Sequence, residues 1–260
     1  MLPDFQSLID RLSPSMIAAG EVIMGHYKAG VSAIEKQDGS PVTVADKEAE
    51  AILSEALLSV APDIPVVSEE NAASHHLSAP DLFFLVDPLD GTKEFIRQDG
   101  KGAFTVNIGL IAQGVPVMGL IYAPVFATLY TGASGVGAHK IVGDEARQTI
   151  TTRACNPKAL CAVASASHKD KQTSDWLADR PVSETTSIGS SLKFCLLADG
   201  RADVYPRFGP TMEWDTAAGD AILRSAGGLT LGADGRALIY GKSDYRNQAF
   251  FAYGTPPKDA

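Results

Sequence analysis

The chain has 260 residues and a formal net charge of −9 at pH 7, from 31 acidic and 22 basic side chains. This length allows one large or two small domains, and the negative charge argues against non-specific binding to nucleic acid. A small anionic substrate is still compatible with this charge, because a bound metal and local basic groups can reverse the local field. The three cysteines lack Cys-x-x-Cys spacing. A disulfide framework and a zinc site are therefore not expected, and a reducing cytoplasm fits best.

The apolar residues do not indicate export or membrane insertion. Asp4 and Asp10 interrupt them near the N-terminus, so no secretory signal is expected. No uninterrupted apolar run approaches the length that crosses a bilayer, so no stable membrane span is expected.

Two helices are predicted in the N-terminal region from apolar positions at helical spacing. The first covers residues 3–27, and it restarts or kinks at Ser13-Pro14, because a serine followed by a proline is typical of a helix N-terminus. The second begins after Thr43, its expected N-cap, and runs to about Val60. Asp46 then lies in the first turn, where the helix dipole favours a negative charge, so capping alone explains this residue.

Short apolar runs bounded by turn residues predict several strands in the first half of the chain. One hairpin is expected across Asp38-Gly39 and a longer one across Gln113-Gly114. The polar segment 71–80 is predicted to be a surface loop, with His75 and His76 as surface residues. The predicted strands cover residues 31–34, 64–67, 83–86, 103–112, 115–123, 128–131 and 137–141, with a short piece near residue 42.

The second half alternates strands and helices, as an α/β unit does. The polar segment 145–155 marks the passage into it. We therefore expect an N-terminal α+β half over residues 1–150 and a C-terminal α/β half over residues 151–260. Strands are predicted over residues 161–165 and 202–205, and helices over residues 169–177, 192–198 and 214–226.

The most informative stretch joins an apolar run to two carboxylates. Phe83–Val86 predicts a buried strand, and Asp87-Pro88-Leu89-Asp90 follows it directly. Carboxylates at the edge of a core repel each other and are costly to desolvate, and a divalent cation relieves both costs. Asp87, Asp90 and the carbonyl oxygen of Leu89 offer the oxygen ligands that Mg²⁺ prefers. The simpler interpretation is a polar turn after a strand, since Asp-Gly is a common turn pair.

Further residues are candidates for the same site. Glu69 and Glu70 follow the preceding predicted strand, and neighbouring strand ends would bring them close, although two adjacent acids also suit a solvated loop. Asp215 is either the N-cap of the helix after it or a third carboxylate of the site. Gly91 and Thr92 can offer backbone N–H groups and a hydroxyl to an anion, especially if a short helix begins there.

Four motifs in this order resemble those of the inositol monophosphatase superfamily, a group of metal-dependent, lithium-sensitive phosphatases. The resemblance covers nearly the whole chain. It implies a layered α/β (α+β) sandwich with an antiparallel N-terminal sheet and a smaller mixed C-terminal sheet. The motifs are Ser40-Pro41-Val42-Thr43-x-x-Asp46, Ser68-Glu69-Glu70, Asp87-Pro-Leu-Asp90-Gly91-Thr92 and Trp214-Asp215.

Other segments are similar to the bacterial 3′(2′),5′-bisphosphate nucleotidase branch of this superfamily. Inositol phosphatases usually carry Thr-Thr-Asn-Phe after the Asp-Gly pair, where this chain has Thr-Lys-Glu-Phe. The similarity implies Mg²⁺-dependent hydrolysis of adenosine 3′,5′-bisphosphate (PAP), or of its phosphosulfate PAPS, to AMP or APS and phosphate in sulfur assimilation. The segments are Asp90-Gly-Thr-Lys93-Glu94-Phe95, Thr186-Ser-Ile-Gly-Ser190-Ser-Leu-Lys193-Phe-Cys and Tyr205-Pro-Arg207-Phe-Gly-Pro.

The resemblance also implies a site for two to three Mg²⁺ ions, inhibited by Li⁺ and by Ca²⁺. One ion would be held by Glu69, Asp87 and the carbonyl of Leu89. A second would be held by Asp87, Asp90 and Asp215, and a third, weaker ion would lie near Glu69.

Catalytic and substrate-binding roles follow from the same resemblance. Thr92, hydrogen-bonded to Asp46, would take or orient the proton of the attacking water, and Glu69 would complete the catalytic set. The backbone N–H groups of Gly91 and Thr92 would hold the phosphoryl oxygens, and Asp215 would also contact the substrate.

The nucleotide-contacting positions of the branch correspond to Ser190, Lys193 and Arg207, and His168 corresponds to a histidine that contacts the nucleoside. Lys193 and Arg207 are predicted to bind the phosphate that is not cleaved, away from the acidic cluster. Two of these residues also have simpler explanations. His168 could be an ordinary surface residue, and Arg207 could form a surface salt bridge.

Two other functions stay open at this point. One is a sugar phosphatase of the same superfamily acting on inositol monophosphate or fructose 1,6-bisphosphate, against which the Lys193–Arg207 pair argues. The other is a non-catalytic metal- or nucleotide-binding protein, against which the complete acid set argues. The sequence does not determine the role of Glu70 or whether the protein is a monomer or a homodimer. A cytoplasmic location is expected, with or without peripheral attachment to the inner membrane.

Overall fold

The computed structural model of the protein describes residues 2–30, 34–35, 41–98, 102–165 and 170–255. Its α-helices are α1 (Phe5–Ala29), α2 (Val44–Val60), α3 (Thr92–Arg97), α4 (Lys171–Ala178), α5 (Leu192–Ala198) and α6 (Ala217–Ser225). The strands of the first half are β1 (Ile34–Glu35), β2 (Pro41–Val42), β3 (Val66–Ser68), β4 (Leu82–Asp90), β5 (Thr105–Ala112), β6 (Val115–Ala123), β7 (Thr128–Ala133), β8 (Gly137–Val142) and β9 (Gln148–Ile150). Those of the second half are β10 (Leu160–Ser165), β11 (Val182–Ile188), β12 (Val204–Arg207), β13 (Thr211–Met212), β14 (Leu229–Gly232), β15 (Arg246–Asn247) and β16 (Phe250–Tyr253).

Two large sheets and two helix layers stack alternately. The first sheet has seven strands in the order β3-β4-β5-β6-β7-β8-β9, and every pair is antiparallel except β3 with β4. Helices α1 and α2 contact this sheet, and α5 and α6 lie between it and a second sheet ordered β11-β10-β12-β16-β14. The second sheet is mixed, because β10 runs parallel to β11 and β12 while β16 runs antiparallel to β12 and β14. The predicted layered sandwich is confirmed.

Strand β4 is buried on both faces, which explains its continuous apolar run. Phe84 and Val86 pack in the cluster formed with α1 and α2, whereas Phe83 and Leu85 pack in the cluster that includes residues of α5 and α6. Successive side chains of a strand point to opposite faces, so a strand between two helix layers is apolar at every position.

The two predicted halves use different sheets but share one of the buried clusters. The strands of the seven-stranded sheet end at Ile150, and those of the five-stranded sheet begin at Leu160. A single buried cluster nevertheless includes Ile121 of the first sheet and Phe250 of the second. The division of the chain into domains at residues 1–150 and 151–260 therefore stays a prediction.

Helix α1 is continuous through Ser13-Pro14, so it does not restart there. Asp4 caps the helix through the backbone N–H groups of the second and third residues after it. Leu12 and Met16 on either side of the proline are fully buried. Their packing offsets the loss of the helical hydrogen bond that Pro14, which has no N–H, cannot donate. The predicted hairpin before α2 is present as the β1–β2 pair, but its turn at Asp38-Gly39 lies outside the described residues.

A row of glycines lets helix α6 lie directly on the first sheet. Gly109, Gly119 and Gly132 are cross-strand neighbours on β5, β6 and β7. A Cβ atom at Gly119 would lie 2.2 Å from the carbonyl oxygen of Ala218, and one at Gly109 would lie 2.7 Å from the Cβ of Ala217. Backbone therefore meets backbone here, and the N-terminal end of α6 has a fixed height above the strands.

We expect Gly119→Ala to lower the free energy of unfolding by about 1–3 kcal/mol, because the helix has no room to move away without opening the core. Gly25→Ala is the matched control, since a Cβ atom at this exposed position of α1 meets nothing within 4 Å. Alanine there should be neutral or stabilising by about 0.5–1 kcal/mol. Urea unfolding measures both, and equal stability of Gly119→Ala and the parent chain would contradict the close contact.

Candidate metal and phosphate site

An irregularity at the end of β4 places two carboxylates on one face of the sheet. Asp87 pairs with Asn107 and Asp90 pairs with Thr105, so three steps on β4 oppose two steps on β5. In a regular strand a three-residue step would put the two side chains on opposite faces. The extra residue of this bulge brings Asp87 and Asp90 to the same face.

Three carboxylates from separate segments converge beside this bulge. Carboxylate oxygens of Glu69, Asp87 and Asp215 lie within 4.8 Å of one another. Glu69 follows β3, the parallel neighbour of β4, and Asp215 precedes α6, which the glycine row holds against the same sheet. The sequence-predicted convergence of these acids is therefore present in the structure.

The cluster has the chemistry of a cation site. Among the described residues, Oδ2 of Asp87 is buried without a hydrogen-bond partner, while its Oδ1 accepts from the N–H of Leu89 at 3.0 Å. Burial raises the pKa of Asp87 well above its ordinary value, and the neighbouring charges of Glu69, Asp90 and Asp215 raise this pKa further. An orphaned buried oxygen among mutually repelling carboxylates fits a divalent metal ligand.

Asp90 links this cluster to the loop before α5. Its Oδ2 accepts a hydrogen bond from the backbone N–H of Ser191 at 2.5 Å. Burial raises the pKa of Asp90 to about 6, although the positive charge of Lys193 and the Ser191 hydrogen bond act in the opposite direction. One carboxylate therefore connects the end of β4 with the segment predicted to contact the substrate.

Asp46 serves both the start of α2 and the site. Its Oδ2 accepts from the backbone N–H of Thr43 at 2.8 Å and from the Thr43 hydroxyl at 2.6 Å. Its other oxygen lies 3.5 Å from Thr92 Oγ1, whose shorter contact is the Leu89 carbonyl at 3.1 Å. Burial raises the pKa of Asp46, opposed by the Thr43 hydrogen bonds, so this carboxylate has more affinity for a proton than an exposed one. The capping role and the pairing with Thr92 coexist.

Gly91 is required by its backbone conformation and its surroundings. It has a φ of +93°, and a Cβ atom there would lie 2.7 Å from the carbonyl oxygen of Ala103. Thr92 follows it as the first residue of the short helix α3. The turn into α3 predicted from Asp90-Gly91-Thr92 is therefore present.

The two cationic residues lie on the second-half side of the same cavity. Lys193 is buried, and its Nζ donates to the Ser190 carbonyl at 2.5 Å. Arg207 donates from Nε to the Gly209 carbonyl at 3.0 Å and from Nη2 to the Pro210 carbonyl at 3.1 Å. Burial lowers the pKa of Lys193 to about 8, although the charge of Asp90 favours its protonated form.

The predicted separation of these cations from the acids needs a correction. The charges of both Lys193 and Arg207 act on the pKa of Asp90, and that of Arg207 also acts on the pKa of Asp215. Both cations therefore lie close enough to the acidic cluster for their charges to act on it. Lys193 lies on α5, which packs against α6, and Arg207 is the last residue of β12.

One cavity of about 270 Å³ contains acids and cations together. Ser165 and Tyr205 also line it, and the sequence analysis did not predict either as a site residue. His168 lies outside the described residues. The predicted residues along the cavity wall are Glu69, Asp87, Leu89, Asp90, Gly91, Thr92, Ser190, Lys193, Arg207 and Asp215.

The prediction that His75 is a surface residue is wrong. Its side chain is half-buried and stacks on Trp214 with 4.7 Å between ring centroids. No local pattern signals this contact, because the two residues come together only through the folding of both halves. His76 is exposed, as predicted.

Comparison with known proteins places the chain in a family. The sequence profile of the inositol monophosphatase family matches residues 5–255, and the chain belongs to this family. A protein of Salmonella typhimurium named 3′(2′),5′-bisphosphate nucleotidase CysQ is 46% identical over 226 residues, covering 85% of this chain and 89% of that protein. The protein of the same name from Escherichia coli K12 is 42% identical over 236 residues, covering 90% and 94%.

A solved structure agrees with the sequence relatives. The crystal structure of CysQ from Bacteroides thetaiotaomicron, described as a bacterial member of the inositol monophosphatase family, superposes with a TM-score of 0.81 at 39% identity. It covers 97% of this chain and 99% of that one. Members of the family generally depend on Mg²⁺, which agrees with the acidic cluster. In the parts of the chain that the structure describes, the helices lack the length and apolarity needed to cross a membrane.

Asp87→Asn tests whether the acidic cluster binds a cation. Without divalent metal we expect this variant to be more stable than the parent by about 1–3 kcal/mol, because one buried, repelling charge is gone. Mg²⁺ at 100 times its dissociation constant should stabilise the parent by about 2.7 kcal/mol and the variant far less. Thermal unfolding with EDTA and with Mg²⁺ measures both, and exposed Asp63→Asn is the control. An equal Mg²⁺ response of Asp87→Asn and the parent would contradict the site.

The metal-free protein should lose stability as the pH rises. Burial and neighbouring carboxylates raise the pKa values of Asp87 and Asp215, and burial raises that of Asp90 from 3.8 to about 6. The folded protein then binds more protons than the unfolded chain, so the free energy of unfolding falls as pH rises through these pKa values. In EDTA the melting temperature should be lower at about pH 8 than at about pH 5, and saturating Mg²⁺ should remove most of the difference. A flat or rising profile in EDTA would contradict this.

Proposed function

We propose that the protein is a Mg²⁺-dependent 3′(2′),5′-bisphosphate nucleotidase that hydrolyses PAP to AMP and phosphate. The observation that carries the proposal is the single cavity in which the acidic cluster faces two cationic side chains, Lys193 and Arg207. A bisphosphate needs a metal-rich site for one phosphate and a second cationic site for the other. The relatives that are 42–46% identical bear the name of this activity.

The metal-binding residues are those whose oxygens converge in the cluster. Glu69, Asp87 and Asp215 would hold the ions, with Asp90 and the carbonyl oxygen of Leu89 beside them. When bound, Mg²⁺ polarises the phosphoryl group, activates the attacking water and neutralises the charge of the leaving oxygen.

Thr92 and Asp46 supply a path for the proton of the attacking water. The Thr92 hydroxyl can accept that proton when its own proton moves towards Oδ1 of Asp46, 3.5 Å away. Because burial raises the pKa of Asp46, its carboxylate is a stronger base than an exposed aspartate. The two Thr43 hydrogen bonds fix the other oxygen, so the carboxylate keeps its orientation during the transfer.

The chain also provides groups that bind phosphate oxygens. Gly91 brings the backbone close to the bulge without a side chain, and we propose that its N–H and that of Thr92 bind the reacting phosphoryl group. Arg207 lines the cavity with a guanidinium that can bind a phosphate through two parallel hydrogen bonds. Lys193 adds a charge next to the Ser190 carbonyl, and we propose that Ser190, Lys193 and Arg207 contact the uncleaved phosphate.

Finer features are part of the proposal. We propose two to three Mg²⁺ ions, inhibition by Li⁺ and by Ca²⁺, and a cytoplasmic enzyme acting as a monomer or a homodimer on a small bisphosphate nucleotide. We keep His168 as a candidate nucleoside contact and PAPS as a candidate second substrate. Glu70 lies next to the cluster, and its charge raises the pKa of Asp46, which supports an electrostatic role.

Phosphate release from PAP, inositol monophosphate and fructose 1,6-bisphosphate, with and without Mg²⁺, tests the activity. Arg207→Ala should raise KM for PAP by roughly one to two decades, since a charge-assisted contact contributes about 1.5–3 kcal/mol. Slow hydrolysis of a small monophosphate should be nearly unchanged. Arg207→Lys keeps the charge without the planar fork, and its KM should fall between those of Arg207→Ala and the parent. Arg246→Ala, which removes an exposed guanidinium on β15, is the control. Faster turnover of a sugar phosphate, or equal damage to both substrates, would favour a sugar phosphatase.

A further inference from the structure

The short 3₁₀ helix Ala72–His76 is tied to the end of β3 by its side chains. Ser74 Oγ accepts from the backbone N–H of Ser68 at 3.1 Å and donates to the Asn71 carbonyl at 2.6 Å. Nε2 of His75 lies 2.8 Å from the Ser68 carbonyl oxygen. A carbonyl can only accept, so Nε2 carries the proton in this hydrogen bond. The imidazole is thus fixed to the residue immediately before Glu69.

The face of the His75 ring contacts a residue of the second half of the chain. It stacks on the indole of Trp214 at a ring-centroid distance of 4.7 Å and an interplanar angle of 22°. Trp214 is 4% exposed and directly precedes Asp215. Tyr245 supports the same contact, because its hydroxyl donates to the Leu77 carbonyl at 2.8 Å and its ring lies 6.4 Å from that of Trp214.

His75 therefore joins the two segments that supply the outer carboxylates of the cluster. Ser68, which accepts the hydrogen bond from His75, directly precedes Glu69. Trp214, on which the His75 ring stacks, directly precedes Asp215. Their carboxylate oxygens lie within 4.8 Å of each other and of Asp87. Like charges at this distance repel, and the segments belong to different halves of the chain, so a direct contact between them opposes their separation.

We propose that His75 is a positioning residue for the metal site, holding Glu69 and Asp215 at a fixed separation through Ser68 and Trp214. The proposal rests on the proposed function only in taking this cluster to be the metal site. His75 does not need to touch the metal or the substrate, because its Nε2 is occupied by Ser68 and its ring face by Trp214. Groups that orient metal ligands typically change metal affinity or activity 10–100-fold when they are replaced.

Three variants of the full chain separate the two contacts. His75→Ala removes both the hydrogen bond and the stacked ring, whereas His75→Phe keeps an aromatic ring against Trp214 and loses the hydrogen bond. His76→Ala is the matched control, because it removes the neighbouring, exposed imidazole. Mg²⁺ affinity is measured by calorimetry without nucleotide, and stability in EDTA is measured separately by urea unfolding.

A spectroscopic readout reports on the stacked pair itself. The chain has two tryptophans, and Trp176→Phe leaves Trp214 as the only one. In that background, Mg²⁺ titration should change the fluorescence of Trp214 at the same concentration as the calorimetric transition.

We expect His75→Ala to bind Mg²⁺ about tenfold more weakly, His75→Phe to fall between it and the parent, and His76→Ala to match the parent. With PAP as substrate, the Mg²⁺ concentration for half-activation should shift equally, while KM at saturating Mg²⁺ should not. Unchanged Mg²⁺ affinity in His75→Ala, even with lowered stability, would overturn the proposal, as would equal weakening by His76→Ala. If His75→Ala does not fold, parent-like affinity of His75→Phe overturns it. Normal Mg²⁺ binding without PAP hydrolysis by the parent would instead contradict the proposed function.

Discussion

Repulsion among fully and partly buried carboxylates is the constraint on which this structure depends. Glu69, Asp87 and Asp215 present their oxygens to one another within 4.8 Å, and Asp87 keeps a buried oxygen without a partner among the described residues. Such an arrangement raises the energy of the metal-free fold, since each charge is both desolvated and close to like charges. A divalent cation with affinity for oxygen ligands would relieve both the desolvation cost and the repulsion.

The rest of the fold supplies the packing that keeps these acids together. The bulge in β4 turns Asp87 and Asp90 to one face of the sheet. The two hydrogen bonds from Thr43 that cap α2 also orient the carboxylate of Asp46. Asp90 extends the network to the loop before α5 through the Ser191 N–H. The positive charges of Lys193 and Arg207 both act to lower the pKa of Asp90, so these cations and the acids of the network are electrostatically linked.

Much of the site was predictable because its residues follow local patterns. Asp87 and Asp90 stand out as acids directly after an apolar run, and Thr43 with Asp46 is a recognisable helix start. The layered sandwich followed from the ordered motifs. The surface assignment of His75 failed because nothing in its neighbourhood encodes the stack on Trp214. The proximity of Lys193 to the acids was not predicted for a similar reason, since it depends on the packing of α5 against α6.

Three of the strands that the sequence analysis did not predict were missed for two different physical reasons. β11 is largely exposed and polar along Val182–Ile188, so it has neither the alternation nor the apolar run that marks a strand. β14 and β16 are short, and β16 pairs with both β12 and β14, which are separate segments of the chain. The restart of the first helix expected at Ser13-Pro14 does not occur, because burial of the surrounding residues outweighs the missing N–H donor of Pro14.

The glycine row beneath α6 has a consequence for how the protein can change over evolutionary time. Where a helix packs on a sheet through side chains, a smaller side chain on one element can be offset by a larger one on the other. The distance between the two elements then changes as the sequence varies. The contact of Gly109, Gly119 and Gly132 with the α6 backbone offers no such exchange, since no smaller residue exists. The height of α6, and with it the position of Asp215, is insulated from substitutions in the surrounding core. Substitutions of apolar residues in the surrounding core can therefore leave the distance across the acidic cluster unchanged.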